Sequence, residues 1–190
     1  MRRSAIQLGA AFLLSVAAAA AQDAAIDVQR STITIHVGKA GLFSAAGHDH
    51  TIAAPISSGT IRESADPHVE FTVEAAKMTV MPDPKVDAKT QAEIQKDMQE
   101  MTLETKKFPA ITFRSSRISK SADGWKVEGD LSLHGVTHPV SLAVKRAGDS
   151  YTAHTVLKQT TFGIKPISIG GGLIKVKDEI EIDFTIVPRR

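Results

Sequence analysis

The stretch Ile174-Lys-Val-Lys-Asp-Glu-Ile-Glu-Ile-Asp-Phe-Thr-Ile186 decides the fold. Ile174, Val176, Ile180, Ile182, Phe184 and Ile186 fall on one side of an extended chain, and Lys175, Lys177, Glu179, Glu181 and Asp183 fall on the other. Side chains of a strand alternate with period 2, so the segment has one dry face and one wet face. A dry face of this length must be covered by other strands of the same pattern.

Those strands lie upstream. Ser31-Thr-Ile-Thr-Ile-His-Val37 alternates cleanly, with Ile33, Ile35 and Val37 together. Short pieces at Thr51–Ala53 and Thr60–Arg62 are separated by Pro55 and Ser57-Ser-Gly59, which read as turn punctuation. A strand through Phe71 and Val73 runs on towards Val80 and is stopped by Met81-Pro-Asp-Pro84. Ile111–Ile118, Trp125–Leu133, Val140–Val144 and Tyr151–Lys158 follow, with a loop at His134–Pro139 and a triple glycine at 170–172.

Only residues 87–106 read as a helix. Ile94, Met98, Met101 and Thr105 form one stripe of period near 3.6, Thr90 and Glu93 have the spacing of a capping box, and Pro109 bars continuation. Lys89, Gln91, Glu93, Gln95, Lys96 and Glu100 read as its solvated face. The fold expected is all-β: a roughly eight-stranded antiparallel barrel with one accessory α-helix, since closing a sheet on itself covers the dry faces and removes the edges.

Met1-Arg-Arg3, the Ala-rich apolar run to Ala20 and the small residues before Gln22-Asp23 have the form of a secretory signal peptide. Residues 1–22 are therefore expected to be cleaved and 23–190 to form one domain, exported, and periplasmic in a bacterium with two membranes. The chain has 23 basic and 21 acidic residues; without Arg2 and Arg3, and with no acid lost, 21 of each remain. A neutral domain lacks the basic footprint of a nucleic-acid binder. With no cysteine, packing alone must stabilise it.

Catalytic signals are sparse. There is no cysteine nucleophile, no Gly-x-Ser-x-Gly elbow, and no acid pair at a recognisable spacing, so no enzyme activity and no catalytic residue are expected. The glycines at 170–172 lack the Lys-Ser/Thr of a phosphate loop. His48 and His50, two apart, would share a face in an extended segment and supply two ligands of a metal site, which gives a His-dependent metalloprotein or metalloenzyme as the alternative reading. His36, His134, His138 and His154 are the imidazoles available to complete it.

Phe108-Pro-Ala-Ile-Thr-Phe-Arg114, Gly129-Asp-Leu-Ser-Leu-His-Gly-Val-Thr-His-Pro139, Thr161-Phe-Gly-Ile164 and the opening strand Ser31–Val37 occur in an order that resembles the YceI-like, polyisoprenoid-binding family. The chain departs from that pattern at Gly47-His-Asp-His50, where many members carry Gly-x-Phe. The resemblance implies a lipocalin-like barrel holding an isoprenoid quinone, a polyprenyl chain or a similar amphiphile for carriage, storage or protection. No cofactor beyond that lipid is implied; transient membrane contact and a homodimer are compatible with it. The residues expected to contact the tail are the apolar strand positions Ile33, Ile35, Phe71, Val73, Ile111, Phe113, Val127, Leu131, Leu133, Val140, Leu142, Val144, Ile182 and Phe184.

Overall fold

A computed structural model describes residues 23–40, 49–64, 66–169 and 173–189. Residues 1–22, read from the sequence as a signal segment, His48 and the glycines 170–172 lie outside the described residues. The strands are β1 (Ala24–Ala25), β2 (Thr32–Ala40), β3 (His50–Ala53), β4 (Ile56–Arg62), β5 (His68–Glu74), β6 (Thr79–Val80), β7 (Ala110–Ser121), β8 (Gly124–Leu133), β9 (Val136–Ala147), β10 (Ser150–Lys158), β11 (Ser168–Ile169) and β12 (Ile174–Ile186). Eleven of them follow one antiparallel path, β1-β4-β5-β7-β8-β9-β10-β12-β2-β3-β6, and β11 pairs with β12 beside it.

The sheet curls into a half-barrel. The chain itself spans the opening, because β3 and β4 lie towards opposite ends of the path and are joined through Ala54-Pro55 alone. Eight strands have seven residues or more, and the sequence marks all of them, β4 only by its last three residues. The other four have two to four residues, too few to display a period, and of these only β3 is marked as a piece of its own, by Thr51–Ala53.

Several boundaries differ from the sequence expectation, each for a local reason. Ser57-Ser-Gly59 is not a turn but the middle of β4, which bulges between Ile56 and Ser58. Gly59 is there because a Cβ would stand 2.6 Å from the Glu70 carbonyl oxygen and 2.7 Å from Ile26 Cδ1. The strand through Phe71 does not reach Val80. It ends at Glu74, turns through the 3₁₀ segment Ala75–Lys77, and reappears as β6 against β3. The expected loop His134–Pro139 contracts to His134-Gly135, both at positive φ (54° and 76°), which joins β8 to β9. Left-handed backbone at both central residues matches the twist of a hairpin. Pro139 then lies within β9, paired to Asp130. It is tolerated because β10 pairs only with Val144–Ala147, leaving the first part of β9 without a second neighbour.

The helix comprises α1 (Ala88–Asp97) and a π-helical turn over Met98–Thr102. Its cap is Asp87, not Thr90: the carboxylate accepts from the backbone N–H groups of Lys89 and Thr90 at 3.0 Å, and from the Thr90 hydroxyl at 2.6 Å. These bonds, the Thr90 hydroxyl foremost, hold the Asp87 carboxyl below its ordinary value. The π turn breaks the expected stripe. Leu103 N–H donates to Met98 O at 2.9 Å, so Leu103 is buried while Met101 is 68% exposed. One extra residue in a turn advances the phase of everything after it.

Two of the six residues read as the solvated face, Gln91 and Gln95, bond to main chain instead, and with Gln99, four apart, they fasten the helix in place. Gln95 Nε2 donates to Met78 O at 3.0 Å while its Oε1 accepts from Val80 N–H at 2.7 Å. Gln91 Nε2 donates to Val80 O at 3.2 Å, and Gln99 Nε2 to Ala76 O at 3.1 Å. No residue of α1 proper is fully buried, so these amides carry much of its attachment. Gln95→Ala strands a main-chain donor and acceptor and is expected to cost about 1–3 kcal/mol in denaturant unfolding. Gln91→Ala, whose amide only donates to carbonyls at its edge, should cost less.

β12 runs as the opening stretch foretells, with one interruption. Asp178 occupies a position on the apolar side, and the pairing with β2 shifts between Val176 and Ile180 at that point. Its carboxylate instead accepts from Thr160 N–H at 2.9 Å and from the Thr160 hydroxyl at 2.7 Å, anchoring the 3₁₀ turn Gln159–Phe162. The hydroxyl bond, followed by the backbone one, holds the Asp178 carboxyl below its ordinary 3.8. A depressed carboxyl contributes stability above its unfolded value and loses it as pH falls through the folded one. The melting temperature should therefore fall as the solution is acidified below that value, and Asp178→Asn should lower the neutral-pH melt and flatten part of this acid limb. An acid limb of unchanged slope in the variant would show that Asp178 is not one of its sources.

Candidate functional site

The concave face of the half-barrel is largely apolar because the inward residues of the alternating strands are, with few exceptions such as Thr155, apolar. Cross-strand register then stacks these residues into a wall: Phe71 lies opposite Phe113, Phe113 opposite Leu131, and Ile182 opposite Ile35. Among the described residues this face lines two cavities of about 120 Å³ each.

The first lies under the helix. Ile33, Ile35, Val73, Ile111, Leu131, Leu133, Val140 and Ile182 line it, and Met98, Thr102 and Leu103 of the π turn cover it. Its polar lining is confined to Thr102, Thr155 and Gln159, and the Gln159 amide already donates to Lys177 O at 2.8 Å. The second lies towards the opposite end, among Val127, Val144, Trp125, Ile118, Val69 and Ile61. It reaches the surface beside Arg62, Glu63, Pro67 and Tyr151.

That mouth is polar and internally paired. The Tyr151 hydroxyl donates to Glu63 Oε1 at 2.7 Å, and its ring meets Trp125 edge-on at 5.6 Å. The Arg62 guanidinium donates to Asp23 at 2.6 Å and lies 3.5 Å from Asp66. The hydrogen bond from Arg62 holds the Asp23 carboxyl below its ordinary value.

Phe71, Phe113, Leu142 and Phe184 line both cavities and separate them. Phe71 and Phe113 have ring centroids 5.5 Å apart, and Phe71 and Phe184 6.4 Å apart, both pairs tilted. Thus all fourteen positions singled out by alternation face one cavity or both. Those missed are of two kinds. Leu103 and Ile164 come from turns without a readable period, and Met98 belongs to the helical stripe, which does not mark it as lining; Val37, Ile52, Trp125 and Ile186 continue strands already recognised.

The imidazoles do not converge. His50 is half-buried on β3 opposite Val37, and its candidate partner His48 lies outside the described residues. His36 Nε2 and His154 Nδ1 share the Asp183 carboxylate on the exposed face, at 3.0 and 2.9 Å. These bonds, His154 first, hold that carboxyl below its ordinary value. His134 is bound to Glu104 at 2.9 Å and packed against Phe108, while His138 meets Phe162 edge-on at 6.1 Å. Among the described residues no group of three or more histidines and acids is arranged to hold a metal ion.

Comparison with known proteins agrees with this architecture. The family model of the YceI-like domain matches residues 25–187. A UPF0312 protein of Yersinia pestis (strain Pestoides F) is 48% identical over 46 residues, 24% of this chain and 24% of that protein, so the match spans about a quarter of that relative's length. A UPF0312 protein of Vibrio vulnificus (strain YJ016) is 29% identical over 153 residues, 78% of this chain and 76% of that protein. Neither family name carries an enzymatic activity. Among solved structures, BcnA of Burkholderia cenocepacia superposes with a TM-score of 0.61 at 17% identity, covering 86% of this chain and 99% of that one. A polyisoprenoid binding domain from Saccharophagus degradans, implicated in plant cell wall breakdown, superposes with a TM-score of 0.59 at 15% identity, covering 88% and 100%. At those identities the likeness is one of fold.

Proposed function

The chain belongs to the YceI-like family, and on that premise we propose that it is an exported, non-catalytic binding protein that holds the tail of a polyisoprenoid in its interior. The observation that carries the reading is the lining of the cavity under the helix, where three polar residues stand among two dozen. Such a surface offers a hydrocarbon little to distinguish it from lipid and offers water few partners. Each CH₂-sized unit moved out of water contributes about 0.8 kcal/mol, so a tail of several isoprene units gains enough to offset the cost of ordering it. The polar mouth beside Arg62, Glu63 and Tyr151 is where a head group would meet solvent. The printed description of the Saccharophagus domain as polyisoprenoid binding supports the same ligand class.

In this reading the N-terminal segment directs export, to the periplasm in a bacterium with two membranes, and the protein carries, stores or shields an isoprenoid quinone or polyprenyl chain. Loading and release would bring it into brief contact with a membrane. It needs no nucleic acid and no resident cofactor.

The chain's single tryptophan, Trp125, lines the second cavity and reports directly on occupancy. Titrating a prenyl benzoquinone into the domain should quench its fluorescence saturably near one equivalent. A quench no greater than that of free tryptophan at the same quinone concentration would contradict the reading.

A further inference from the structure

Three aromatic rings stand with Leu142 between the two cavities. Phe71 and Phe113 face each other across the β5–β7 pair, and Phe184 reaches Phe71 from β12. Centroid separations of 5.5 and 6.4 Å put Phe71 in contact with both other rings, so a hydrocarbon chain passes between Phe71 and either of them only by parting the pair. The three are not equally fixed. A Cβ at Gly129 would stand 2.7 Å from Phe113 Cζ, so that ring is seated on bare backbone, and Phe113 and Phe71 are 4% and 8% exposed. Phe184 is half-buried, the least enclosed of the three.

We propose that the Phe71–Phe113–Phe184 constriction sorts ligands by tail length, with Phe184 as its movable leaf. The inference rests on the isoprenoid reading above. A short tail fits the cavity beside Trp125 and leaves the rings closed. A long tail reaches the cavity under the helix only by breaking the Phe71–Phe184 contact, so the constriction acts against long tails alone. The interior is thereby a binding site with an internal threshold, and apolar surface area by itself does not fix which isoprenoid is held.

The test compares a one-unit and a four-unit prenyl benzoquinone on the wild-type domain, on Phe184→Ala, and on Leu133→Ala, which enlarges the cavity under the helix at a position whose cross-strand partner is Val136 and none of the three rings. Phe184→Ala is expected to raise the affinity ratio of the four-unit over the one-unit probe about five- to tenfold, the order of one aromatic contact released. Leu133→Ala is expected to lower the same ratio, since only the long tail loses a contact there. Phe184→Leu, which keeps bulk but removes the ring, should fall between wild type and Phe184→Ala, and thermal melts confirm that each variant is folded. Parallel changes for both probes in Phe184→Ala, or a ratio that moves as it does in Leu133→Ala, would overturn the constriction while leaving the isoprenoid reading standing. Failure of both probes to bind the wild-type domain would remove that reading, and the constriction with it.

Discussion

Phe162→Ala is expected to destabilise the protein by about 3–5 kcal/mol, the range for emptying a fully buried aromatic site. Phe162 is 1% exposed and lies in the 3₁₀ turn Gln159–Phe162, which packs against β9, β10 and β12. It sits where β9 and β10 diverge: pairing between them stops at Val144, and the turn stands beside the unpaired part of β9. Gly163, at φ 70°, ends the turn in a conformation that glycine adopts without penalty. Truncating Phe162 leaves a void that the two strands cannot close without losing their other partners, β8 and β12. Chemical denaturation read by circular dichroism measures the loss. A cost below about 1 kcal/mol would mean that the site collapses freely and that Phe162 does not hold the strands apart.

Val144→Trp has the second large effect, on binding rather than on folding. Val144 lines the cavity beside Trp125, is half-buried, and pairs with Ala153 on β10. An added indole in open space takes the room of the tail, so affinity for a prenyl benzoquinone should fall at least tenfold, about 1.4 kcal/mol. The melt of the ligand-free variant should stay within a few degrees of wild type. In a filled core the same bulk would cost about 1–3 kcal/mol. Strong destabilisation of the ligand-free variant with affinity preserved would place Val144 in packed core and contradict its role in the cavity.

How far the sequence is legible depends on the range over which each feature is determined. β12 is readable from its own thirteen residues because alternation is a local property, and its one irregularity is marked by an Asp among apolar positions. All fourteen apolar strand positions named from the sequence line a cavity through the same property. The glutamine ladder is not readable. Gln91 and Gln95 look like solvated residues until the β6 main chain is placed beside them, and Gln99 carries no signal of its bond to Ala76; both depend on the chain breaking at Ala75–Lys77. The helix phase fails for a related reason, since a π turn is set by what Leu103 packs against and not by propensity. Ser57-Ser-Gly59 misleads because glycine serves close approach as readily as it serves turns. The division of the interior is the most distant feature of all. It requires Phe184 to meet Phe71 across the curled sheet, strands apart along the path.

The central claim is that this interior is occupied by an isoprenoid tail. Its most direct test is mass spectrometry of an organic extract of the protein purified, without added lipid, from cells that express the whole sequence. The expected result is an isoprenoid quinone or polyprenyl lipid at a sizeable fraction of one equivalent, reduced severalfold in an extract of Val144→Trp prepared the same way. An extract free of isoprenoids, from a protein that also fails to take up prenyl benzoquinone when it is added, would contradict the account.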